Sequence, residues 1–437
     1  MISLNNTKEL GDLMHGWAKD LFPICRSLTG LGVRETLKYI KGVINGLVIH
    51  EIPTGTKAFD WEVPQEWTIR KAYIENSLGD RIIDFDDNNL HVVGYSEPID
   101  KCLEYEQLNN HLYSLEAQPN AIPYVTSYYK RHWGFCLTHN QRVTLNPGQY
   151  HVVIDSELKS GFLSYAELFL KGNSEQEVFL STYICHPSMA NNELSGPVVT
   201  TAIAKWISSL PFLRYSYRII YIPETIGSIV YLSKNINHLK NNVIAGFNVT
   251  CIGDDRCYSY LPSRAGNTLA DQVAKHVLSH IASDFKSYTW LDRGSDERQY
   301  CAPGVDLPIA TIMRSKYGRY PEYHTSLDDL TLVTPSGLLG GFTALMKAIQ
   351  TIESIKYPKV CVLGEPQLGK RGLYPNLSIK GSVTDYVLNM MNLISYSDGK
   401  KSTLDIAELI GVPMLELIDI LEPLIKNRLI EVKDFAW

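Results

Sequence analysis

Two histidines and two glutamates, each close behind an apolar segment, are the residues of this chain best suited to catalysis. They stand in four short motifs: Cys185-His186-Pro187-Ser188, Asn191-Asn192-Glu193-Leu194-Ser195-Gly196, Pro223-Glu224-Thr225-Ile226-Gly227-Ser228 and Pro321-Glu322-Tyr323-His324-Thr325-Ser326-Leu327-Asp328. Imidazole and carboxylate groups together form the ligand set that suits a hydrolytic zinc ion. One histidine of this kind is usually a packing or capping residue, but four such motifs in one order favour a metal site.

The segments around these motifs alternate between predicted strands and helices. The apolar pattern predicts strands over 177–184, 218–222, 243–249 and 308–313, and helices over 195–209, 267–281 and 335–355. Short apolar strands separated by helices indicate an α/β fold with a mostly parallel sheet covered by helices. Ligands of such sheets bind beyond the carboxyl ends of the strands, which is where His186, Glu224 and Asn248 fall.

The composition of the remaining segments predicts a division into domains. Residues 1–55 and 151–357 are predicted to form one discontinuous α/β domain. Between them, residues 56–150 are predicted to form an inserted β-rich domain, because their short strands are separated by Gly, Asp and Asn turns. A linker rich in Pro and Gly follows at 358–380, and three helical patterns with a short apolar ending predict a winged-helix-like domain at 381–437.

Charge and composition restrict the class of protein. The chain of 437 residues is 45% hydrophobic and 20% charged, with a net charge of -6, which is typical of a globular protein and disfavours a nucleic-acid footprint over the whole chain. There is no run of eighteen apolar residues to predict a membrane span. The eight cysteines include no Cys-x-x-Cys pair, and the first residues lack a basic segment followed by an apolar one. We therefore expect a cytoplasmic protein with reduced thiols and no membrane partner.

The order of the motifs resembles the zinc aminopeptidase superfamily, which includes bacterial leucyl aminopeptidases and glutaminyl cyclases. Over essentially all 437 residues, the chain is more closely similar to an uncharacterised bacterial family with an aminopeptidase-like domain, an inserted β domain and a C-terminal winged helix. The Tyr323-His324-Thr325 and Asn192-x-x-Ser195-Gly196 motifs are the most specific parts. The resemblance implies a zinc-exopeptidase-like fold and a metal-dependent exopeptidase that hydrolyses a small peptide or amide with zinc-activated water.

The superfamily pattern is only partly present. His186 and His324 match its first and last histidine ligands. Asn192 stands where the metal-bridging aspartate is expected, and Asn248 where a further aspartate ligand is expected, so both become candidates for supporting or substrate-binding roles. The usual Glu-Glu pair is reduced to Pro223-Glu224, so either a metal ligand or the general base is missing.

These departures favour one zinc ion over two, because a pair of dications needs several anionic ligands. The resemblance then implies that His186, Glu193 and His324 hold the ion and that Glu224 is the base that deprotonates its water. Two alternatives stay open. In one, Glu224 is the ligand and Glu193 is not; in the other, the chain has lost the metal and is a ligand-sensing or regulatory protein.

The Ser295-Asp296-Glu297 segment resembles the Ser-Asp-His motif of the superfamily, with Glu297 in place of the histidine. Asp296 is predicted to orient His324 or a polar group of the substrate, or else to cap a helix. Arg298 is a candidate to bind a substrate carboxylate, and Tyr323 to line the pocket. The resemblance favours action at the amino terminus of the substrate, while a carboxypeptidase and a carbohydrate-related amidohydrolase stay as alternatives.

The predicted winged-helix-like domain suggests nucleic-acid binding by its shape but not by its charge. From Lys380 to Trp437 there are six basic and nine acidic residues, and Glu416, Asp419 and Glu422 lie on or beside the third helix. A helix that enters the major groove should be basic. We therefore predict that this domain serves in docking or homodimer formation and does not bind DNA.

Overall fold

The structure, a computed structural model, describes residues 7–128, 130–373 and 385–434. Its helices are α1 (Thr7–Leu21), α2 (Leu31–Val43), α3 (Tyr105–Leu108), α4 (His139–Val143), α5 (Ser195–Ser209), α6 (Ile226–Asn242), α7 (Leu269–Ile281), α8 (Glu297–Tyr300), α9 (Pro335–Ser354), α10 (Asp385–Tyr396), α11 (Thr403–Ile410) and α12 (Met414–Lys426). Within the described ranges, none of them combines the length and apolar character that crossing a membrane requires.

The strands are mostly short. They are β1 (Val48–Pro53), β2 (Lys57–Ala58), β3 (Trp61–Glu62), β4 (Glu66–Glu75), β5 (Arg81–Asp84), β6 (Ile99–Glu104), β7 (Leu112–Tyr113), β8 (Phe135–Cys136), β9 (Gln149–Lys159), β10 (Phe162–Leu170), β11 (Glu177–Tyr183), β12 (Ser216–Ile222), β13 (Val243–Asn248), β14 (Ser259–Leu261), β15 (Lys286–Ser287), β16 (Ile309–Met313), β17 (Lys356–Val360) and β18 (Ile430–Asp434). Contacts divide the chain into two compact units, Met1–Asp271 with Lys286–Thr343, and Gln272–Phe285 with Ala344–Trp437.

The first unit is built on an eight-stranded sheet of order β1-β10-β12-β11-β13-β16-β14-β15. The four central strands β12, β11, β13 and β16 run parallel, whereas β1, β10 and β14 pair antiparallel. Every residue of β11 and of β16 is buried, as expected for central strands covered on both faces. The predicted fold class, an α/β protein with a largely parallel sheet and covering helices, is confirmed.

The strands that carry the predicted site lie where the apolar pattern placed them. β11, β12 and β13 end at Tyr183, Ile222 and Asn248. Because these strands are parallel neighbours, their carboxyl ends meet at one edge of the sheet. His186, Glu224 and Asn248 are therefore brought to the same edge.

Helix α5 follows β11 and begins at the Ser-Gly motif. The Ser195 hydroxyl donates to the carbonyl oxygen of Asn191 (2.5 Å) and accepts a hydrogen bond from the backbone N–H of Ile252 (2.9 Å). A Cβ on Gly196 would lie 2.4 Å from the carbonyl oxygen of Val249. Only glycine therefore lets the first turn of α5 approach the segment after β13 so closely.

A four-stranded sheet of order β5-β4-β9-β6 takes three of its strands from the segment predicted as an insert, whereas most of β9 lies beyond that segment. Its strands pair antiparallel, and β9 pairs with β4 as far as Lys159. The predicted boundary at residue 150 therefore falls inside β9. The Asn146-Pro147-Gly148 segment precedes this strand, and Ser160-Gly161 follows its last residue.

The second unit contains helices α10, α11 and α12 followed by β18, which pairs antiparallel with β17. These helices match the three helical patterns predicted for the tail, and α12 buries an apolar face that includes Leu417, Ile420 and Leu424. The predicted linker at 358–380 begins inside β17. Its residues 374–380, and residues 381–384 of the predicted winged-helix-like domain, lie outside the described residues.

Candidate functional site

His186 stands three residues beyond β11 and is 4% exposed. Its Nδ1 lies 2.9 Å from Glu193 Oε2, and its Nε2 lies 3.6 Å from Glu224 Oε2. The two ring nitrogens therefore face different carboxylates. Since the Nδ1 contact has hydrogen-bond length, we assign the proton to Nδ1, which donates to Glu193 and leaves Nε2 directed towards Glu224.

Arg26 covers the Nδ1 side of His186. It lies between α1 and α2, and its side chain is fully buried against the equally buried Glu193, with 3.4 Å between Nε and Oε1. The same Nε donates to the carbonyl oxygen of His186 (2.9 Å), and Nη1 donates to the carbonyl oxygen of Leu21 (2.7 Å). Arg26 has no signal in the sequence, because its partner His186 lies 160 residues further along the chain.

Asn192 and Glu193 lie in a π-helical turn, Ala190–Leu194, that leads into α5. Asp328 holds this turn, because its Oδ1 accepts from the N–H of Asn191 (2.6 Å) and its Oδ2 from the N–H of Asn192 (2.9 Å). Turns of this kind occur frequently at functional sites. Asp328 closes the motif that also carries His324, so hydrogen bonds tie two of the four motifs together.

Glu224 is presented by a strained turn. Thr225 has φ 64° and ψ -77°, and the N–H of Ile226 donates to the carbonyl oxygen of Glu224 at 2.8 Å. This is the rare γ-turn with positive φ, which is unfavourable for a β-branched residue. Asp296 holds the turn, because its Oδ1 accepts from the N–H of Thr225 (2.7 Å) and from the hydroxyl of Ser228 (2.8 Å). These contacts place Asp296 against the turn that carries Glu224, whereas the sequence predicted that it orients His324 or a polar group of the substrate, or caps a helix.

His324 lies against His186, with 5.5 Å between the ring centroids. Its ring stacks on Tyr323 at 3.9 Å, and its carbonyl oxygen accepts from the N–H of Tyr124 at 2.8 Å. The Tyr124 ring touches both imidazoles, with centroid distances of 5.2 Å to His186 and 5.1 Å to His324. Tyr124 comes from the predicted insert, and nothing in the sequence distinguishes it from the other aromatic residues there.

Asn248 forms a hydrogen-bonded pair with Glu297, in which Nδ2 donates to Oε2 at 3.1 Å. The other oxygen of Glu297 accepts from the Tyr317 hydroxyl (2.7 Å), so this carboxylate is held on both oxygens. The Oδ1 of Asn248 and the Nδ2 of Asn192 are buried without a hydrogen-bond partner among the described residues. Buried polar atoms of this kind usually have a partner, so these two are available to a ligand.

Arg298 is exposed at the rim of the Glu224 turn. Its Nη2 donates to the hydroxyl oxygen of Thr225 (3.1 Å), and its Nε donates to the carbonyl oxygen of Ser295 (3.0 Å). Arg298 is thus close to Glu224 but is partly engaged in holding the turn.

Burial shifts the protonation of the groups in the site. It lowers the pKa of His324 to about 3, with a further contribution from His186. Burial raises the pKa of Glu224 above 4.5 and, together with the charge of Glu224, raises the pKa of Asp296 to about 8. For His186, burial opposes protonation, but the acidic groups around it outweigh this effect and raise its pKa well above 6.5. His324 is therefore neutral, as a metal ligand must be, whereas His186 would have to release the proton on Nε2 to bind a metal.

The residues of the site can be tested for their fit to a zinc ion. Among the described residues, one group of His, Cys, Asp or Glu side chains has its ligand atoms all within 4.8 Å of one another, namely Cys185, His186 and Glu193. It contains two of the predicted ligands but not His324. The buried guanidinium of Arg26, 3.4 Å from Glu193, makes this group a poor host for a further cation.

The other side of His186 fits better. Two ligands of a tetrahedral zinc ion, each about 2.0–2.2 Å from the metal, lie roughly 3.3–3.6 Å apart. The 3.6 Å between His186 Nε2 and Glu224 Oε2 matches this separation. The chain therefore has two donors of the right type and spacing on the Glu224 side. The neutral ring of His324 packs against His186, but among the described residues its nitrogens do not form a group with both donors within 4.8 Å of one another.

Known structures with this architecture include peptidases. A putative peptidase from Clostridium acetobutylicum is 41% identical, with a TM-score of 0.92 over 98% of each chain. BSAP, a zinc aminopeptidase from Bacillus subtilis, is similar in fold at 11% identity, with a TM-score of 0.58 over 79% of this chain and 95% of its own. The fold is therefore similar to that of aminopeptidases.

The family is given by a second comparison. Residues 15–355 match the model described as "Domain of unknown function (DUF4910)", and residues 356–432 match a winged helix-turn-helix model. A Clostridium acetobutylicum protein described as "Putative polysaccharide biosynthesis protein with aminopeptidase-like domain" is 44% identical over 408 residues, which is 92% of each chain. This chain belongs to the DUF4910 family and carries a C-terminal winged helix.

Proposed function

We propose that this protein is a zinc-dependent hydrolase that removes one terminal residue from a small peptide or cleaves a small amide. A single zinc ion would be held by His186, Glu224 and His324. The observation that carries this proposal is the 3.6 Å between His186 Nε2 and Glu224 Oε2. When bound, zinc would polarise the scissile carbonyl and lower the pKa of water towards ~7.

This ligand set exchanges the roles of two glutamates relative to the leading sequence-based hypothesis. Glu193 has no exposed surface, and its carboxylate is between Arg26 and His186 Nδ1. Glu224 is 20% exposed at its side chain, so it can reach both an ion and a substrate. Glu193 then orients His186 from behind, as carboxylates commonly do for a histidine that binds a metal.

With Glu224 as a ligand, another group must accept the proton from the nucleophile. Asp296 is our candidate, because its Oδ2 is buried without a hydrogen-bond partner among the described residues and its Oδ1 holds the turn that carries Glu224; since its pKa is raised to about 8, it would accept a proton readily only at alkaline pH. A base with a pKa near the working pH is well matched to this task. The unpaired amide atoms of Asn192 and Asn248 would bind polar groups of the substrate.

The principal experiment compares zinc content and hydrolysis in three variants, His186→Ala, Glu224→Gln and His324→Ala. Each should lose zinc by elemental analysis and lose hydrolysis of amino-acid amides by roughly a hundredfold or more. His151→Ala, in β9 of the four-stranded sheet, is the matched control and should keep both. Normal zinc content in all three site variants would refute the ligand set. Zinc retained in Glu224→Gln with activity lost would return Glu224 to the role of base.

A carbohydrate-linked amide is the second candidate substrate. The relative at 44% identity is described as a polysaccharide biosynthesis protein with an aminopeptidase-like domain. Both substrate classes contain an amide carbonyl that one zinc ion could polarise. Parallel assays with amino-acid amides and N-acetylated amino sugars separate them, because only one class should be hydrolysed at a rate that depends on His324.

For the winged-helix unit, we propose a role in docking or homodimer formation. Glu416, Asp419 and Glu422 are exposed on α12, and a row of carboxylates repels DNA phosphates. The full chain should therefore bind a DNA duplex weakly at low salt. Submicromolar binding that falls steeply with added salt would contradict this proposal, because such a slope reports phosphate contacts.

A further inference from the structure

A buried arginine faces the three residues whose ligand atoms lie within 4.8 Å of one another. Cys185, His186 and Glu193 are all buried, and Glu193 lies 3.4 Å from Arg26 with both side chains fully inaccessible. Cys185 is also engaged, because its Sγ accepts from the N–H of Glu224 at 3.1 Å. A metal ion in this cluster would lie close to a fixed positive charge in a medium that screens it poorly.

We propose that Arg26 is a positioning residue that takes the electrostatic place of a second metal ion. Its guanidinium balances the charge of Glu193, and Glu193 holds the proton on His186 Nδ1. A single lone pair, on Nε2, is then left for zinc. This inference rests on the zinc site proposed above and adds that the Cys185 side of His186 is closed to metal.

The charges of the site agree with this arrangement. A two-metal site needs carboxylates at several positions, and the chain has neutral side chains at Asn192 and Asn248 instead. The one additional carboxylate near His186, Glu193, is matched by Arg26. Glu224 and two imidazoles then remain for one dication, which is a sufficient ligand set for catalytic zinc.

Arg26 could instead serve only to fasten the segment after α1, since it also binds the carbonyl oxygen of Leu21. The two roles differ in where a metal binds. If Arg26 were purely structural, the group formed by Cys185, His186 and Glu193 could bind an ion. Our proposal predicts that this group binds none. Cobalt(II) distinguishes them, because thiolate ligation produces an intense charge-transfer band in the near ultraviolet and ligation by nitrogen and oxygen does not.

The first test therefore titrates cobalt(II) into the metal-free, full-length protein. We expect one ion per chain and no thiolate band, with an unchanged spectrum in Cys185→Ser. A thiolate band that disappears in Cys185→Ser would overturn the role of Arg26 while leaving a metal-dependent activity possible. Failure to bind any cobalt or zinc would overturn the proposed function and this inference with it.

The second test changes the charge of residue 26. Arg26→Met should bind more than one cobalt per chain and gain the thiolate band, because Glu193 then faces Cys185 without a balancing cation. Arg26→Lys keeps the charge and should retain one ion and no band. A folded Arg26→Met protein with the stoichiometry and spectrum of the wild type would overturn the proposal. If Arg26→Met does not fold, Arg26→Gln, which also removes the charge but keeps a polar side chain, takes its place in the same titration.

Discussion

The two ring nitrogens of His186 differ in whether their surroundings leave access for a ligand. On the Nδ1 side, Glu193 contacts His186 and Arg26, and both members of the ion pair are shielded from solvent. On the Nε2 side, Glu224 is partly exposed, follows a strand at a strained turn and has a raised pKa. One side is thus closed by a buried ion pair, and the other carries a partly exposed carboxylate that a ligand can reach.

The closed side should contribute most to stability. Replacing Arg26 by Met leaves Glu193 buried without its partner, which should lower the free energy of unfolding by about 3–5 kcal/mol. Urea denaturation of the metal-free proteins measures this. In Arg26→Met/Glu193→Gln, which removes both charges, much of the loss should be recovered. A loss below about 1 kcal/mol in the single variant would mean that the pair is not buried in solution.

On the Nε2 side of His186, the buried Asp296 should make the stability of the protein depend on pH. Because the pKa of Asp296 is raised from 3.8 to about 8, the native protein keeps this proton at pH values where the unfolded chain has lost it. Stability from this group therefore falls as the pH rises from about 4 to about 8. Asp296→Asn has no group that titrates at this position. Its free energy of unfolding, relative to that of the wild type, should therefore rise by on the order of 2 kcal/mol between pH 5 and pH 8.

Thermal or urea unfolding of the metal-free proteins at several pH values provides the measurement. Asp328→Asn is a useful comparison, because burial raises the pKa of Asp328 only to about 6. The stability of this variant relative to the wild type should therefore stop rising at a lower pH than that of Asp296→Asn. A difference between Asp296→Asn and the wild type that stays constant from pH 5 to pH 8 would contradict the raised pKa.

The sequence predicted the features that depend on local pattern. The apolar runs located β11, β12, β13 and β16, and the helical period located α5 at Ser195–Ser209. The order of motifs after parallel strands also predicted that His186 and Glu224 meet at one edge of the sheet. These conclusions need only the hydrophobic periodicity of the sequence and the geometry of parallel sheets.

The sequence could not predict which glutamate faces which partner. The π-helical turn at Ala190–Leu194 directs Glu193 inwards. No pattern in the sequence distinguishes such a turn from an ordinary helix or loop. Arg26 and Tyr124 reach the site from distant segments, so tertiary packing alone decides their positions. The predicted boundary at residue 150 also differs from the structure, because β9 begins directly after Asn146-Pro147-Gly148 and continues to Lys159.

The smallest expected effect concerns the strained turn. Thr225 at φ 64° should cost of order 1 kcal/mol or more, and glycine relieves this strain whereas alanine does not. Thr225→Gly should therefore be more stable than Thr225→Ala by about 1 kcal/mol. Both variants lose the hydrogen bond to Arg298, so the comparison isolates the backbone. Equal stability would show that the turn relaxes in solution.

The difference between the two sides of His186 is tested most directly by locating the metal itself. Crystals of the zinc-loaded, full-length protein would give an anomalous difference map at the zinc absorption edge. We predict one peak per chain, bounded by His186 Nε2, Glu224 and His324, with none beside Cys185. A peak within bonding distance of Cys185 Sγ or Glu193, or two peaks of equal height, would contradict this account of the site.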